Sequence, residues 1–402
     1  MMNVQLFGVG AAGNKAAIEV MQQRIISEEK VKLLNTTLKD IPDSYKKKSG
    51  MVYEFNTALG GCAKEPAKGA NAMYTAIMNG NIDIGSMMDV GTQIVVLVAS
   101  TEGGTGCGAV PILAKYFVSM GMPVHIYAMI GFQDDLVGVA NTINFFKNIP
   151  DGIILHTIQN SKFLDYTNDH AKAEQLANEE FADQLEILIG SKMIDAKQNI
   201  DDMDLYKIVA NTPGYMDVRH VQIDGAKNFD LTNQAIMKSF ENMKCMEYDN
   251  EGSSKLIIAV IINADKNTQQ VIDDECNVIK RYTGEPKIIY RHIQWDENSS
   301  EEYIDIIVAG LPYPEKGILQ LPKIYNTIKD KTARKSKTLS DILGSIDIDE
   351  DEVIDEMDVK KINNPNDTMA AFAKMMGAPM PVNRKDGKIN NVSRGKNVDS
   401  QY

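Results

Sequence analysis

The residues best placed to do chemistry lie in three glycine-rich segments and one acidic one. Ser100-Thr101-Glu102-Gly103-Gly104-Thr105-Gly106-Cys107-Gly108 follows an apolar run and opens a helical stretch through Ala109, Val110 and Pro111. Four glycines in six positions let backbone N–H groups approach a polyphosphate without side-chain clash, and a helix N-terminus adds free donors and partial positive charge. Pro111, in the first helical turn, gives up no hydrogen bond that the helix needs. No Gly-Lys-Ser or Gly-Lys-Thr occurs, so this is a phosphate cradle other than a P-loop. Gly8-Val9-Gly10-Ala11-Ala12-Gly13-Asn14 joins the first apolar run to the first helical pattern, and Gly60-Gly61 opens a third loop that runs to Pro66 and Gly69. Read alone, the first motif is a G-x-G-x-x-G of the dinucleotide type, but Lys32-Leu33-Leu34 ends in Asn35-Thr36-Thr37, where the ribose-binding acid would stand. Several phosphate-binding loops and no such acid fit one mononucleotide polyphosphate gripped from several sides.

The fourth segment is Asn199-Ile200-Asp201-Asp202-Met203-Asp204. Three carboxylates within four residues repel one another unless they are solvated or bound to a cation. Two readings stay open from the residues alone: a helix cap or exposed loop, and a carboxylate pair that orients a hydrolytic water.

Positioning these loops requires strands that end where the glycines begin. Residues 4–9, 94–99, 124–130 and 153–158 are unbroken apolar or β-branched runs, as in parallel strands buried on both faces. Helical patterns at 14–26 and 109–120 follow two of them, which gives a doubly wound α/β domain with a mostly parallel sheet. A long helical pattern at 171–196 carries Leu176, Phe181, Leu185, Leu188 and Ile189 at helix spacing. Strand-like runs at 256–262, 287–292 and 303–309, with a helix near 270–281, form a smaller α/β layer structure. The expected division is a nucleotide-binding domain at 1–170, a central helix with its acidic loop at 171–204, a C-terminal domain at 205–319 and a tail at 320–402. That tail carries a basic stretch at 329–337, an acidic run at 347–358, a short apolar patch at 369–376 and a basic end. Charge blocks of this length stay solvated, so the tail reads as flexible, with helix at its start.

Composition narrows the classes. The chain has 402 residues, 44% hydrophobic, enough for two packed cores. A net charge of -13 argues against a body that coats nucleic acid or an anionic membrane, which needs clustered Lys and Arg. Four scattered cysteines without a C-x-x-C pair read as reduced thiols. No secretory signal is visible, and the longest apolar run falls far short of the roughly 20 residues of a membrane helix, so the expectation is a cytoplasmic protein with no membrane partner.

Together these segments resemble the tubulin/FtsZ superfamily through about 310 residues. Glu102 to Gly108 is similar to its G-G-G-T-G-[ST]-G loop, Gly8 to Asn14 to its first nucleotide loop, and Asn35-Thr36 to the start of its Asn-Thr-Asp loop. Asn199 to Asp204 is similar to its Asn-x-Asp-x-x-Asp synergy loop, and Val308-Ala309-Gly310-Leu311 to the last strand of its C-terminal domain. The resemblance implies a GTPase that binds GTP or GDP with Mg²⁺ and assembles head-to-tail with copies of itself. It implies nucleotide contacts at Gly10, Ala11, Ala12, Asn14, Asn35, Gly60, Gly61, Gly103, Gly104, Thr105, Gly106, Cys107 and Gly108, and base reading by Asn178. It places Asp201 and Asp204 in the catalytic positions, acting on the nucleotide of a neighbouring subunit.

The departures point to the divergent plasmid and phage tubulins, the TubZ and PhuZ branch. Glu102 replaces a glycine, Cys107 a hydroxyl and Thr37 an acid, and Glu174 stands where an aromatic ring normally stacks on the base. The last residues, 382–402, do not look like the adaptor-binding peptide of the division protein; their basic character fits acidic partners such as neighbouring subunits or a DNA-bound adaptor. Plasmid or phage DNA segregation or positioning is thus the implied role. A division filament, a GTP-binding scaffold without hydrolysis and, more distantly, a dinucleotide oxidoreductase are the alternatives.

Overall fold

The computed structural model describes residues 1–55, 60–194, 199–223, 229–249, 255–265, 269, 276–296 and 301–343. The acidic run, the apolar patch and the basic end of the tail lie outside the described residues. One sheet of ten strands organises the rest, in the order β3-β2-β1-β4-β5-β6-β7-β10-β8-β9. The strands are β1 (Val4–Val9), β2 (Val31–Asn35), β3 (Val52–Glu54), β4 (Ile94–Ser100), β5 (Val124–Ile130), β6 (Ile154–Gln159), β7 (Gly214–Gln222), β8 (Ile257–Asn263), β9 (Ile288–Gln294) and β10 (Tyr303–Leu311). The first seven pair in parallel, β10 runs antiparallel to β7 and β8, and β8 pairs in parallel with β9.

Burial explains why the apolar runs became strands. Every residue of β1, β5 and β6 is buried, as is all of β4 except Ser100. Each fully buried Val, Leu or Ile contributes about 1.5–3 kcal/mol relative to exposure, so a strand covered on both faces tolerates few polar positions. The covering helices include α1 (Gly10–Gln22), α2 (Pro66–Met78), α3 (Thr105–Ser119), α4 (Leu136–Asn148), α5 (His170–Leu188), α6 (Asp202–Ala210), α7 (Phe229–Glu241), α8 (Cys276–Thr283) and α9 (Leu321–Leu343). The start of the expected tail is thus helical.

Strand order dictates where the loops meet. β1 has β2 on one side and β4 on the other, so the chain leaves the sheet in opposite directions from neighbouring strands. The carboxyl ends of β1 and β4 therefore flank a crevice, the usual ligand position in an open α/β sheet. Helices α1 and α3 begin earlier than their apolar patterns, at Gly10 and Thr105, because the glycines themselves form the first turns.

β7 carries no long apolar run, since Asp217, Arg219 and His220 interrupt it. It is a strand nonetheless because its buried charges are satisfied. The Arg219 Nε and Nη2 donate to Asp217 Oδ2 at 2.8 and 2.6 Å, Tyr248 Oη donates to the same oxygen at 2.8 Å, and the guanidinium lies 4.4 Å from the Phe240 ring centre. Cys62, Cys107 and Cys245 are buried free thiols. Among the described residues, no helix is long and apolar enough to cross a membrane.

Candidate functional site

The cradle is built by contacts that only glycines allow. Gly10 has φ +75°, in the left-handed region, and leads β1 into α1. A Cβ on Gly106 would stand 2.8 Å from the Val9 carbonyl, and one on Gly108 only 2.0 Å from the Pro66 carbonyl, so α3 sits hard against both β1 and α2. Gly104 is similarly closed, with Cys62 Cβ at 2.7 Å, whereas a Cβ on Gly103 would meet nothing within 4 Å among the described residues. Gly103 is thus the point at which the loop backbone opens outward. Thr36 and Thr105 join their hydroxyls at 3.0 Å and so couple the end of β2 to the start of α3. Gly60 and Gly61, both exposed and with φ +65° and +149°, begin the loop leading to α2.

Several expected contact residues have their side chains committed elsewhere. Asn35 accepts the Thr36 N–H at 2.9 Å and donates to Asp40 at 3.3 Å. Asn14 is buried and donates to the Leu34 carbonyl at 3.3 Å, and its Oδ1 has no donor among the described residues. The Cys107 thiol points to the Asn141 carbonyl, 3.3 Å away, and burial pushes its pKa up to about 12, so only its backbone remains to face a ligand. Ala11 is exposed on the first turn of α1, and Ala12 beside it lines the cleft.

Glu102 turns away from the glycines. Its carboxylate lies over Gly131 and Gly138 and accepts the Gln133 N–H at 3.1 Å. Burial, with Asp135 and Asp134 nearby, raises its pKa above the ordinary glutamate value. Asn141 fixes the loop from behind, donating to the Glu102 carbonyl at 3.0 Å and to the Lys64 carbonyl at 2.8 Å.

Next to the cradle runs a cleft lined by Ala12 and Asn178, two of the residues that the resemblance implies as contacts, and also by Glu102, Lys15, Phe132, Asn160 and Glu174. Of the last four, only Glu174 is named in the sequence reading, at the position where an aromatic ring normally stacks on the base. Phe132 stacks on His170 with ring centres 4.2 Å apart, and Lys15 pairs with Glu174 at 3.6 Å. His170, Glu174 and Asn178 follow at four-residue spacing along one face of α5. Asn160 Oδ1 is a buried acceptor with no donor among the described residues. A lone Phe or Asn in a loop gives no sequence signal; only the parallel pairing of β5 with β6 brings the loops after them together.

The acidic segment caps α6. Asp201 Oδ1 accepts the Asp204 N–H at 2.7 Å, an N-cap bond, and Asp201 and Asp202 are exposed. Leu205, one turn on, packs beneath, 2.9 Å from where a Gly190 Cβ would sit, just past the end of α5. That end also meets the amino-terminal edge of the sheet, because the Met2 N–H donates to the Ile189 carbonyl at 2.9 Å. The glycine loops follow the carboxyl ends of β1 and β4. The cradle and the acids therefore lie at opposite ends of α5, whose 19 residues span about 28 Å.

The fold is similar to those of solved TubZ and FtsZ structures, the kind of protein that the glycine and acidic motifs resemble. Among solved structures, the chain is similar to the GTPγS-form protofilament of TubZ from Bacillus thuringiensis serovar israelensis, with a TM-score of 0.69 at 13% identity over 85% of this chain and 94% of that one. The TubZ of Clostridium botulinum phage c-st gives a TM-score of 0.63 at 16% identity over 82% of this chain and 100% of that one. In sequence the chain is 24% identical, over 354 residues, to the cell division protein FtsZ of Mycoplasmopsis pulmonis (strain UAB CTIP), covering 84% of this chain and 83% of the relative. No family model matches.

Proposed function

We propose that the protein is a cytoskeletal GTPase of the tubulin/FtsZ kind that polymerises head-to-tail and hydrolyses GTP where two copies meet. The observation that carries this reading is the separation of the cradle from the acids along α5. One chain cannot bring Asp201 and Asp204 to its own glycine loops, but a second copy stacked on the first could. A contact joining two different surfaces does not close on itself and propagates into a filament. The TubZ neighbour was solved as a GTPγS-form protofilament, which supports the same arrangement.

The residues present fit a guanine nucleotide. Gly103, Gly104 and the N–H groups at the start of α3 face the phosphates, and Gly10, Ala11 and Ala12 close over them from α1. Gly60 and Gly61 close the third side. Asn178 and the donor-less Asn160 Oδ1 suit the N–H edge of guanine, and Phe132 offers an apolar ring face for its plane. Lys15 balances phosphate charge at the mouth of the cleft. Mg²⁺, which prefers phosphate oxygens and water to an all-protein cage, would neutralise charge on the bound triphosphate. Asp201 and Asp204 of the next copy orient the attacking water and accept its proton.

Segregation or positioning of plasmid or phage DNA in the cytoplasm, with a DNA-bound adaptor engaging the tail, is the proposed role; the likeness of the fold to the TubZ of a Clostridium botulinum phage favours it. Light scattering at 90° with parallel phosphate release, after GTP and Mg²⁺ are added across a protein concentration series, tests the core of the proposal. Scattering above a critical concentration, with phosphate release only above it, is the expected outcome. Phosphate release proportional to protein concentration without assembly would overturn it.

A further inference from the structure

The acid loop is tied to the edge of the sheet by two buried side chains with no part in the assigned chemistry. Gln294, at the end of β9, is 3% exposed and uses both ends of its amide. Its Oε1 accepts the Ile194 N–H at 2.9 Å, and its Nε2 donates to the Lys192 carbonyl at 2.9 Å and reaches Tyr303 Oη at 3.5 Å. His292, two residues earlier on the same face of β9, is 2% exposed and has Nε2 at 2.8 Å from Gln294 Oε1. Since that oxygen can only accept, His292 Nε2 carries the ring proton and Nδ1 is left as an acceptor. Nδ1 then receives the Ile200 N–H at 3.3 Å, from the residue immediately before the Asp201 cap. One histidine–glutamine pair thus grips the chain on both sides of residues 195–198, at Lys192 and Ile194 and again at Ile200.

We infer that His292 and Gln294 are positioning residues for the Asp201–Asp204 loop, holding the acids where a neighbouring copy's nucleotide can be reached. The inference rests on the proposed role of those acids. A buried Ile200 N–H without an acceptor would be penalised by desolvation, which the loop avoids by keeping this position. The pair thus ties β9 to the segment that leads from the end of α5 into the Asp201 cap.

Two substitutions at one position separate positioning from packing. In His292→Asn, an amide oxygen replaces Nδ1 and can still accept from Ile200. In His292→Gln, the amide reaches the Nε2 position toward Gln294 and leaves Ile200 without its acceptor. Hydrogen exchange at the Ile200 amide, followed by NMR in the full chain, reads the bond without reference to activity. Protection kept in His292→Asn and lost in His292→Gln is expected, with GTP affinity unchanged in both. Phosphate release should fall on the order of 10²-fold in His292→Gln and be largely restored in His292→Asn, since about 1 Å of misplacement carries such a cost. Equal protection and equal rates in both variants would overturn the inference. Altered protection with parent rates would instead show that the loop is held by the pair but is not catalytic; the double variant Asp201→Ala with Asp204→Ala would then also hydrolyse at the parent rate, placing the failure in the proposed function.

Discussion

The two ends of α5 are built on different principles. At one end the site is mostly backbone: glycines packed so closely that a Cβ on Gly13 would lie 2.1 Å from the Val98 carbonyl and one on Gly108 2.0 Å from that of Pro66. At the other end the site is mostly side chain, with Asp201 capping α6 and His292 and Gln294 gripping the loop before it. A backbone cradle is fixed by the fold and cannot be adjusted by changing side chains. A side-chain clasp can be loosened without unfolding anything. The difference matches the tasks proposed for the ends, a permanent grip on phosphates against a catalytic loop that would have to meet another molecule.

The largest expected effect comes from the acid end. Asp201→Ala with Asp204→Ala should lower assembly-dependent phosphate release at least about 10²-fold while leaving nucleotide binding intact. Asp201→Asn sharpens the point, because asparagine caps a helix as well as aspartate does and only the charge is lost. It should keep the parent melting temperature and still lose hydrolysis, whereas Asp201→Ala alone should also cost about 1 kcal/mol of stability.

At the cradle end the glycines should divide in the opposite sense. Gly108→Ala forces a methyl into the Pro66 carbonyl and should destabilise the fold by about 3 kcal/mol or prevent folding, as a urea titration would show. Gly103→Ala meets nothing and should leave the urea midpoint unchanged while weakening GTP binding. Equal destabilisation by the two would contradict the division of the loop into a packed side and an open side.

Acid should act through the histidines between the ends. His125 Nδ1 lies 2.9 Å from His156 Nε2, and His125 Nε2 lies 3.0 Å from the Val209 carbonyl on α6, so the pair links the sheet to the acid-bearing helix. Burial lowers His125 to about 3 from the ordinary 6.5. The unfolded chain therefore takes up a proton before the folded one, and the stability present above pH 6.5 is lost as the pH falls toward 3. Between pH 6.5 and 5 the unfolding free energy should drop by about 2 kcal/mol, and His125→Gln should flatten that slope.

The smallest effect concerns Glu102. Its raised pKa means that ionisation is a penalty in the folded chain, absent below the ordinary glutamate range and present once the pH exceeds the raised value. Glu102→Gln keeps an acceptor for the Gln133 N–H and removes the charge, so a slight gain in stability and in GTP affinity is expected at neutral pH. The stability gain should vanish below the ordinary glutamate range.

The parts of this plan that are legible in sequence are those whose cause is local. The glycines at 103–108 and 8–13 announce themselves because close backbone approach leaves little alternative, and β1 and β5 are mostly apolar, with Gln5 and His125 as their polar positions. β7 was hidden because Asp217 and Arg219 satisfy each other inside the strand, which no hydropathy pattern records. Phe132 and Asn160 enter the cleft only through the pairing of β5 with β6. His292 and Gln294 act on a loop about a hundred residues earlier, with Ile194 and Gln294 separated by 100 positions. Even the acidic motif was ambiguous between cap and catalyst, and Asp201 turns out to use one oxygen as a cap while remaining exposed.

The central claim, that the cradle and the acids act across two copies, is tested most directly by mixing two defective chains. One carries Asp201→Ala with Asp204→Ala and keeps its cradle; the other carries Gly103→Glu, which places a negative side chain in the open part of the cradle, and keeps its acids. Each alone should release little phosphate from GTP, and the mixture should recover release in proportion to the product of the two concentrations at low protein. A mixture that releases only the sum of the separate rates, while the parent chain hydrolyses GTP normally, would contradict the account.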